Sequence, residues 1–359
     1  MESLAELDRR VECGVRSWSG WRLRALNLTE RGEQLHRADV AGATFLGCRF
    51  ANGDADRVEA EGALVLPTIK GVPVDVYRTT LYTPEELYDA GAPPGRCRYA
   101  ASLDARAYAW SQQVGTPDDT LARALHDHAV DEALESWRQG RRIVGVMGGH
   151  ALRRGSEGYA EAALLGARLG AIAGITVATG GGPGAMEAAN LGGYLARQPD
   201  DTLTKALAML AAVPSYRPSV GAWADAAFEV RATWPGEASL GIPTWHYGHE
   251  PPNVLAGAIA KLFRNSLREA LLLQVCDGGI VFLPGAAGTV QEVFQDACEN
   301  YYADASSVAP MVLVGRRYWT EERPVWPLLQ SLAQGRAMAG HLHLVDSVDE
   351  AAAAIAARS

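Results

Sequence analysis

From Arg141 onward, short apolar runs alternate with segments of helical periodicity. The runs are IVGVM (143–147), ITVAT (175–179), SLGIPT (239–244), GIVFL (279–283), PMVLV (310–314) and HLHLV (341–345). They are apolar on both faces, as strands covered on both sides must be. Between them, 159–173, 184–197, 254–275, 289–300 and 347–357 carry helical spacing. The pattern predicts an α/β fold, doubly wound, with a mainly parallel sheet and helices on both faces. Such sheets bind ligands beyond the carboxyl ends of their strands.

The earlier part of the chain has another texture. Ala38–Gly42, Ala43–Gly47 and Cys48–Asn52 align at a five-residue period, with Val40, Phe45 and Phe50 as apolar centres and Ala38, Ala43 and Cys48 two positions before them. This resembles pentapeptide-repeat β-helix coils, and three units are too few for a solenoid on their own. Residues 63–82, rich in Val, Ile, Thr and Tyr, read as extended strands broken at Pro67 and at Gly71–Pro73. Thr83-Pro84 and Thr116-Pro117 are helix-start signals, and apolar positions from Leu121 to Leu134 predict a helix to about Trp137. The expected organisation is a β-rich N-terminal region with a short pentapeptide-like repeat (1–100), a helical connector (101–140) and the α/β domain (141–359).

Composition narrows the function. A net charge of −9 and a pI of 5.4 argue against general binding to nucleic acid or a membrane surface, while leaving room for a small anionic ligand. No apolar stretch reaches membrane-spanning length, and the acidic start lacks the order of a signal peptide. The five cysteines (13, 48, 97, 276, 298) form no CxxC pair, which suits a reducing cytoplasm and gives no zinc signature.

Three strands end in glycine: Met147-Gly148-Gly149-His150, Thr179-Gly180-Gly181-Gly182-Pro183-Gly184-Ala185-Met186-Glu187, and Pro284-Gly285-Ala286-Ala287-Gly288-Thr289. Each stands where a strand hands over to a helix, so backbone N–H groups can reach an anion. Tight packing turns are the alternative. The spacing is neither a dinucleotide fingerprint nor a Walker loop, so phosphate is favoured over NAD or ATP hydrolysis. Thr289-Val290-Gln291-Glu292 also reads as a capping box. Glu292, Asp296 and Glu299, however, share a helix face beginning at the phosphate-like loop. Lys261, Arg264 and Arg268 form a basic stripe on the expected 254–275 helix, either a solvated face or a counterweight leaning over that loop. The segment 241–253, with Trp245, His246, Tyr247, His249 and Glu250, is suited to wall a planar base; its histidines lack metal-ligand helix spacing.

The second and third loops together resemble the signatures of the LOG (Lonely Guy) family, GGGxxGxM and PGGxGTxxE, over roughly 141–359. The family has a Rossmann-like fold and often carries a lysine decarboxylase label. Its members are phosphoribohydrolases that release base and ribose 5-phosphate from nucleoside 5′-monophosphates; a related branch comprises the nucleotide 5′-monophosphate nucleosidases. The resemblance implies Glu292 and Arg268 as catalytic residues, and Thr289 with the Gly288 backbone as phosphate ligands. Gly148, Gly149, Gly181, Gly182, Gly184, Glu187, Gly285, Arg264, His246 and His249 complete the candidate binding set. Three departures stand out: Ala286 for the second Gly of PGG, Glu269 in place of a Lys, and one extra residue between Asp277 and Pro284. They leave the base pocket open and speak against assuming a cytokinin nucleotide. A pyridoxal decarboxylase needs a buried Schiff-base lysine; none of Lys70, Lys205 and Lys261 sits in a cradle-like loop, so that label is rejected. The expectation is therefore hydrolysis of the N-glycosidic bond of a nucleoside 5′-monophosphate, with no cofactor or metal, by a cytoplasmic homo-oligomer. The alternative is a non-catalytic protein that binds or senses a nucleotide in the same cradle.

Overall fold

The structure, a computed structural model, describes residues 1–89, 99–199, 201–246 and 250–357. Two compact units are present: 1–77 with 115–126, and 78–114 with 127–359. The segments 78–89, 99–114 and 127–140 thus pack with the α/β part of the chain.

In the first unit, helix α1 (Leu4–Glu12) precedes β1 (Arg22–Arg24), α2 (Gly32–Arg37), β2 (Thr44–Leu46), α3 (Asp54–Ala60) and β3 (Leu64–Leu66). The three strands form a parallel sheet in which Arg22 faces Thr44, 22 residues on, and Thr44 faces Leu64, 20 residues on. The five-residue period lies inside this longer repeat. Trp18, Leu23 and Leu28 repeat the spacing of Val40, Phe45 and Phe50 one coil earlier. Leu23 pairs directly with Phe45, and Trp18, Leu23, Leu28, Val40 and Phe45 are all buried. Helices α2 and α3 connect the successive strands. Charged helices (Gly32–Arg37, Asp54–Ala60) therefore interrupt the pentads, which is why the sequence shows them only in fragments.

The second unit contains α4 (Pro84–Leu87), α5 (Leu103–Ser111) and most of α6 (Pro117–Arg138). There follow β4 (Arg142–Met147), α7 (Glu157–Gly170), β5 (Ile175–Thr179), α8 (Ala185–Leu195), α9 (Asp201–Ala211), α10 (Val220–Thr233), β6 (Leu240–Gly241) and β7 (Ala258–Ile259). The chain ends through α11 (Asn265–Gln274), β8 (Ile280–Phe282), α12 (Ala287–Tyr302), β9 (Met311–Val314), α13 (Val325–Ala333), β10 (Leu342–Val345) and α14 (Val348–Ala356). Thr83 caps α4 by accepting from the Glu86 N–H (3.2 Å), and Thr116 Oγ1 accepts from the Asp119 N–H (3.2 Å).

The strands form one seven-stranded sheet in the order β10-β9-β8-β4-β5-β6-β7, every pair parallel. This is the doubly wound, Rossmann-like α/β fold. From β4 the chain winds outward through β5, β6 and β7, then returns to β8 and winds the other way. The reversal lies between β4 and β8, where such sheets open a crevice.

The expected helix 254–275 is corrected. Only α11 is helical; 258–259 form β7, whose Ile259 carbonyl accepts from the Tyr82 N–H (2.9 Å). An Ala/Ile/Leu/Phe run fits a buried strand as well as a helix, and sheet pairing decided it. The basic stripe disappears with that helix. Lys261 is buried, its Nζ 2.6 Å from Asp104 Oδ1 and 5.1 Å from the Trp245 ring. Burial lowers its pKa, against the opposing pull of Asp104. Asp104 also accepts from Trp245 Nε1 (2.8 Å) and Tyr99 OH (2.5 Å).

Candidate active site

Three glycine loops lie side by side, because β8, β4 and β5 are neighbours in the sheet. The first and third touch. A methyl group on Gly285 would fall 3.1 Å from Gly148 Cα and 2.1 Å from Thr289 Oγ1, and one on Gly148 would fall 2.4 Å from the Leu283 carbonyl oxygen. Two backbones can meet this closely at the switch point only without side chains. The first and second loops are also joined: Ala185 N–H donates to the Gly149 carbonyl (3.0 Å). Gly184, at φ +76, backs onto the carbonyls of Gly149 and His150.

The second loop is held in shape from behind by a buried polar cluster. Thr179 Oγ1 accepts from Gly181 N–H (3.0 Å) and donates to Asn190 Oδ1 (2.6 Å). Asn190 Nδ2 donates to Ser239 Oγ (3.2 Å) and the Leu240 carbonyl (3.1 Å). Asn253 donates from its backbone to the Gly181 carbonyl (2.8 Å), and from Nδ2 to the Gly182 carbonyl (3.1 Å) and Asn190 Oδ1 (3.1 Å). Buried polar atoms satisfied in this way fix one conformation. Asn190 and Ser239 carried no motif signal.

The third loop opens α12. Its N-cap is Ala286, without a side-chain cap, so the capping-box reading of Thr289 and Glu292 does not hold. Thr289 is instead the third helical residue and is buried, while Ala286, Ala287 and Gly288 are exposed. The first intrahelical bond runs from Val290 N–H to the Ala286 carbonyl (3.1 Å). The preceding amides face outward from a helix end with its partial positive charge. Tyr318 OH donates to the Gly285 carbonyl (2.6 Å) and braces the loop.

Arg268 and Glu292 meet beside these loops. Arg268 Nε donates to the Ile242 carbonyl (2.8 Å), and Nη2 reaches the Gly180 carbonyl at 3.5 Å. Its Nη1 stands 3.8 Å from Glu292 Oε1. Glu292, with a side chain 17 % exposed, has its carboxyl pushed up to about 7 by burial; Arg268 pulls it down and Glu269 pushes it up. Glu269 accepts from Gln291 Nε2 (2.9 Å) and Asn265 Nδ2 (2.7 Å). The acidic face is only partly a face. Asp296 is buried, its carboxyl held well above the usual range by burial and then by Glu299, while Glu299 is exposed.

Other candidate residues lie elsewhere. The Glu187 carboxylate is buried and taken up by Arg154, through Nε (3.0 Å) and Nη2, and by Tyr159 OH (2.9 Å). Burial alone would lower the Arg154 pKa, but the Glu187 carboxylate more than offsets it and raises it. Arg264 is the N-cap residue of α11, with its backbone N–H on Asp127 (2.9 Å) and its side chain exposed. His246 is exposed, and its backbone N–H donates to Thr244 Oγ1 (3.1 Å). His249 and Tyr247 lie outside the described residues. Trp245 is buried and stacked on Phe263 at 4.5 Å.

A cavity of about 340 Å³ lies on the far side of the second loop, lined by His150, Arg154, Gly184, Tyr216, Arg217 and Trp223 among others. Among the described residues no group of three or more His, Cys, Asp or Glu is placed to hold a metal ion. None of their helices is long and apolar enough to cross a membrane.

No protein-family model matches the chain, and neither does any curated protein. Solved structures do. One is the molybdenum cofactor binding protein of the phototrophic bacterium Rippkaea orientalis, with 16% identity over 61% of this chain and 98% of that one, at a TM-score of 0.38. The molybdenum cofactor carrier protein of Chlamydomonas reinhardtii matches with 19% identity over 60% and 96%, at a TM-score of 0.36. The structural-genomics target TM1055 matches with 16% identity over 60% and 98%, at a TM-score of 0.33.

Proposed function

We propose that this chain is a LOG-type phosphoribohydrolase, which hydrolyses the N-glycosidic bond of a nucleoside 5′-monophosphate to free base and ribose 5-phosphate. One observation carries the reading. The carboxyl of Glu292, raised to about 7, stands 3.8 Å from Arg268 and one turn into a helix whose exposed, side-chain-poor end suits a phosphate monoester.

The amides at Ala287 and Gly288, with the Thr289 hydroxyl, anchor the phosphate remotely from the bond that breaks, so binding energy positions the sugar. As the base departs with the bonding electron pair, positive charge develops on the ribose. The ionised Glu292 stabilises that charge and accepts a proton from the attacking water. Arg268, pinned to the Ile242 and Gly180 carbonyls, positions the carboxylate.

The test is incubation of purified protein with AMP, GMP, CMP and UMP, following free base and ribose 5-phosphate. The expected result is turnover of at least one nucleotide and its loss in Glu292→Gln, with nucleotide binding retained. Full activity in that variant removes the mechanism. Binding without release of base in the wild type replaces hydrolysis by a carrier or sensor role.

A further inference from the structure

The crossover from β5 to β6 is far longer than the sheet requires. One helix is enough to return the chain between parallel strands, and α8 already does so. Residues 196–239 add α9 and α10. This extension comes back to the carboxyl end of the sheet. Arg154 N–H donates to the Pro214 carbonyl (3.2 Å), and Arg154 Nη1 donates to the carbonyls of Val213 (3.3 Å) and Trp223 (3.0 Å). Segment 213–223 thereby becomes a wall of the cavity, whose other walls are the β4 loop and the start of α8.

The charges inside are uneven. Arg154 and Glu187 neutralise each other in a buried pair, with the Arg154 guanidinium also 4.6 Å from the Trp223 ring centroid. Arg153 and Arg217 also line the cavity and are exposed, and neither has a carboxylate within ion-pair distance among the described residues. Glu250 is the other acidic group of the lining, and the start of α8 adds positive potential. The Arg217 guanidinium stands 5.7 Å from the Tyr216 ring centroid. A cavity with two uncommitted guanidiniums, a helix start and an aromatic wall is built for an anion.

The same loop serves both places. Gly180 faces Arg268 at one end, and Pro183 and Gly184 line the cavity at the other. Four Cα steps of 3.8 Å separate Gly180 from Gly184, so the two ends lie at most about 15 Å apart. We propose that this cavity is a second anion subsite, taking a phosphate or carboxylate that the ligand carries in addition to its 5′-phosphate. The role of the subsite in substrate choice rests on the reading of the Glu292 site given above. Its capacity for an anion does not.

Calorimetric titration tests both parts, with AMP, adenosine 3′,5′-bisphosphate, adenylosuccinate and inorganic pyrophosphate as probes. The proteins are the wild type, Glu292→Gln and the double variant Arg153→Ala/Arg217→Ala, whose exposed side chains can be removed without opening the core. The expected result is that the bisphosphate or adenylosuccinate binds about tenfold or more tightly than AMP, as a charge-assisted contact warrants. Which of the two gains identifies phosphate or carboxylate. The gain persists in Glu292→Gln and vanishes in the double variant, where AMP affinity stays at the wild-type value. Equal affinity for all three nucleotides, or a gain that survives in the double variant, overturns the subsite. Pyrophosphate binding that depends on Arg153 and Arg217, with no nucleotide bound, retains the anion subsite and removes the nucleotide reading. No binding of any probe removes both.

Discussion

Replacing Glu292 by Gln should make the protein more stable at neutral pH and abolish the proposed hydrolysis. The carboxyl is pushed from 4.5 to about 7, with burial as the chief cause. A folded-state pKa above the unfolded value means that the folded protein holds this proton more tightly. The protonated acid's contribution is complete below about 4.5 and is lost as the pH rises through about 7. At about 1.4 kcal/mol per unit, ionising Glu292 in place costs about 3 kcal/mol at pH 8. The Arg268 attraction is already included in that net shift. Gln keeps the shape and never ionises. Urea denaturation of both proteins should therefore agree at pH 4.5 and diverge upward, with the variant about 3 kcal/mol more stable at pH 8. Comparing the pair at each pH cancels the other titrating groups. A constant difference across the range, or a variant that is the less stable one at pH 8, would refute the account of a desolvated carboxylate.

Four further outcomes follow from the same geometry. In the proposed mechanism the base form of Glu292 is the working one, so kcat/KM for ribose 5-phosphate release should rise with pH through about 7 and then level off; a rate falling over that range contradicts the assignment. Arg154→Ala leaves Glu187 buried without its cation and should cost about 3–5 kcal/mol in urea denaturation, partly recovered by adding Glu187→Gln. Gly184→Ala puts a methyl group 2.5 Å from the His150 carbonyl oxygen at positive φ and should cost at least about 1–3 kcal/mol. Gly288→Ala, which meets nothing within 4 Å, should leave stability within about 0.5 kcal/mol or raise it.

The sheet was legible because strands covered on both faces are apolar throughout and helices separate them. All six runs from IVGVM to HLHLV contain a strand of the sheet. Arg268 and Glu292 were legible through motif spacing, and the structure brings them together. Less legible was whatever depends on a partner distant in sequence. Lys261 reads as one tooth of a basic stripe until Asp104 is found against it. Glu187, at the end of a glycine loop, reads as a ligand until Arg154 and Tyr159 close over it. The 20- to 22-residue coil of the first unit was hidden because its helices interrupt the pentads, so only Val40, Phe45 and Phe50 stood out.

The cluster of Thr179, Asn190 and Asn253 has a consequence for how a ligand arrives. A loop of three consecutive glycines would by composition be among the floppiest parts of a chain, and ordering it on contact would drain affinity. Here the Gly181 amide and the carbonyls of Gly181 and Gly182 are already engaged from the rear. The entropy of that loop is thus spent once, during folding, and a guest meets a rigid rim instead of a closing hand.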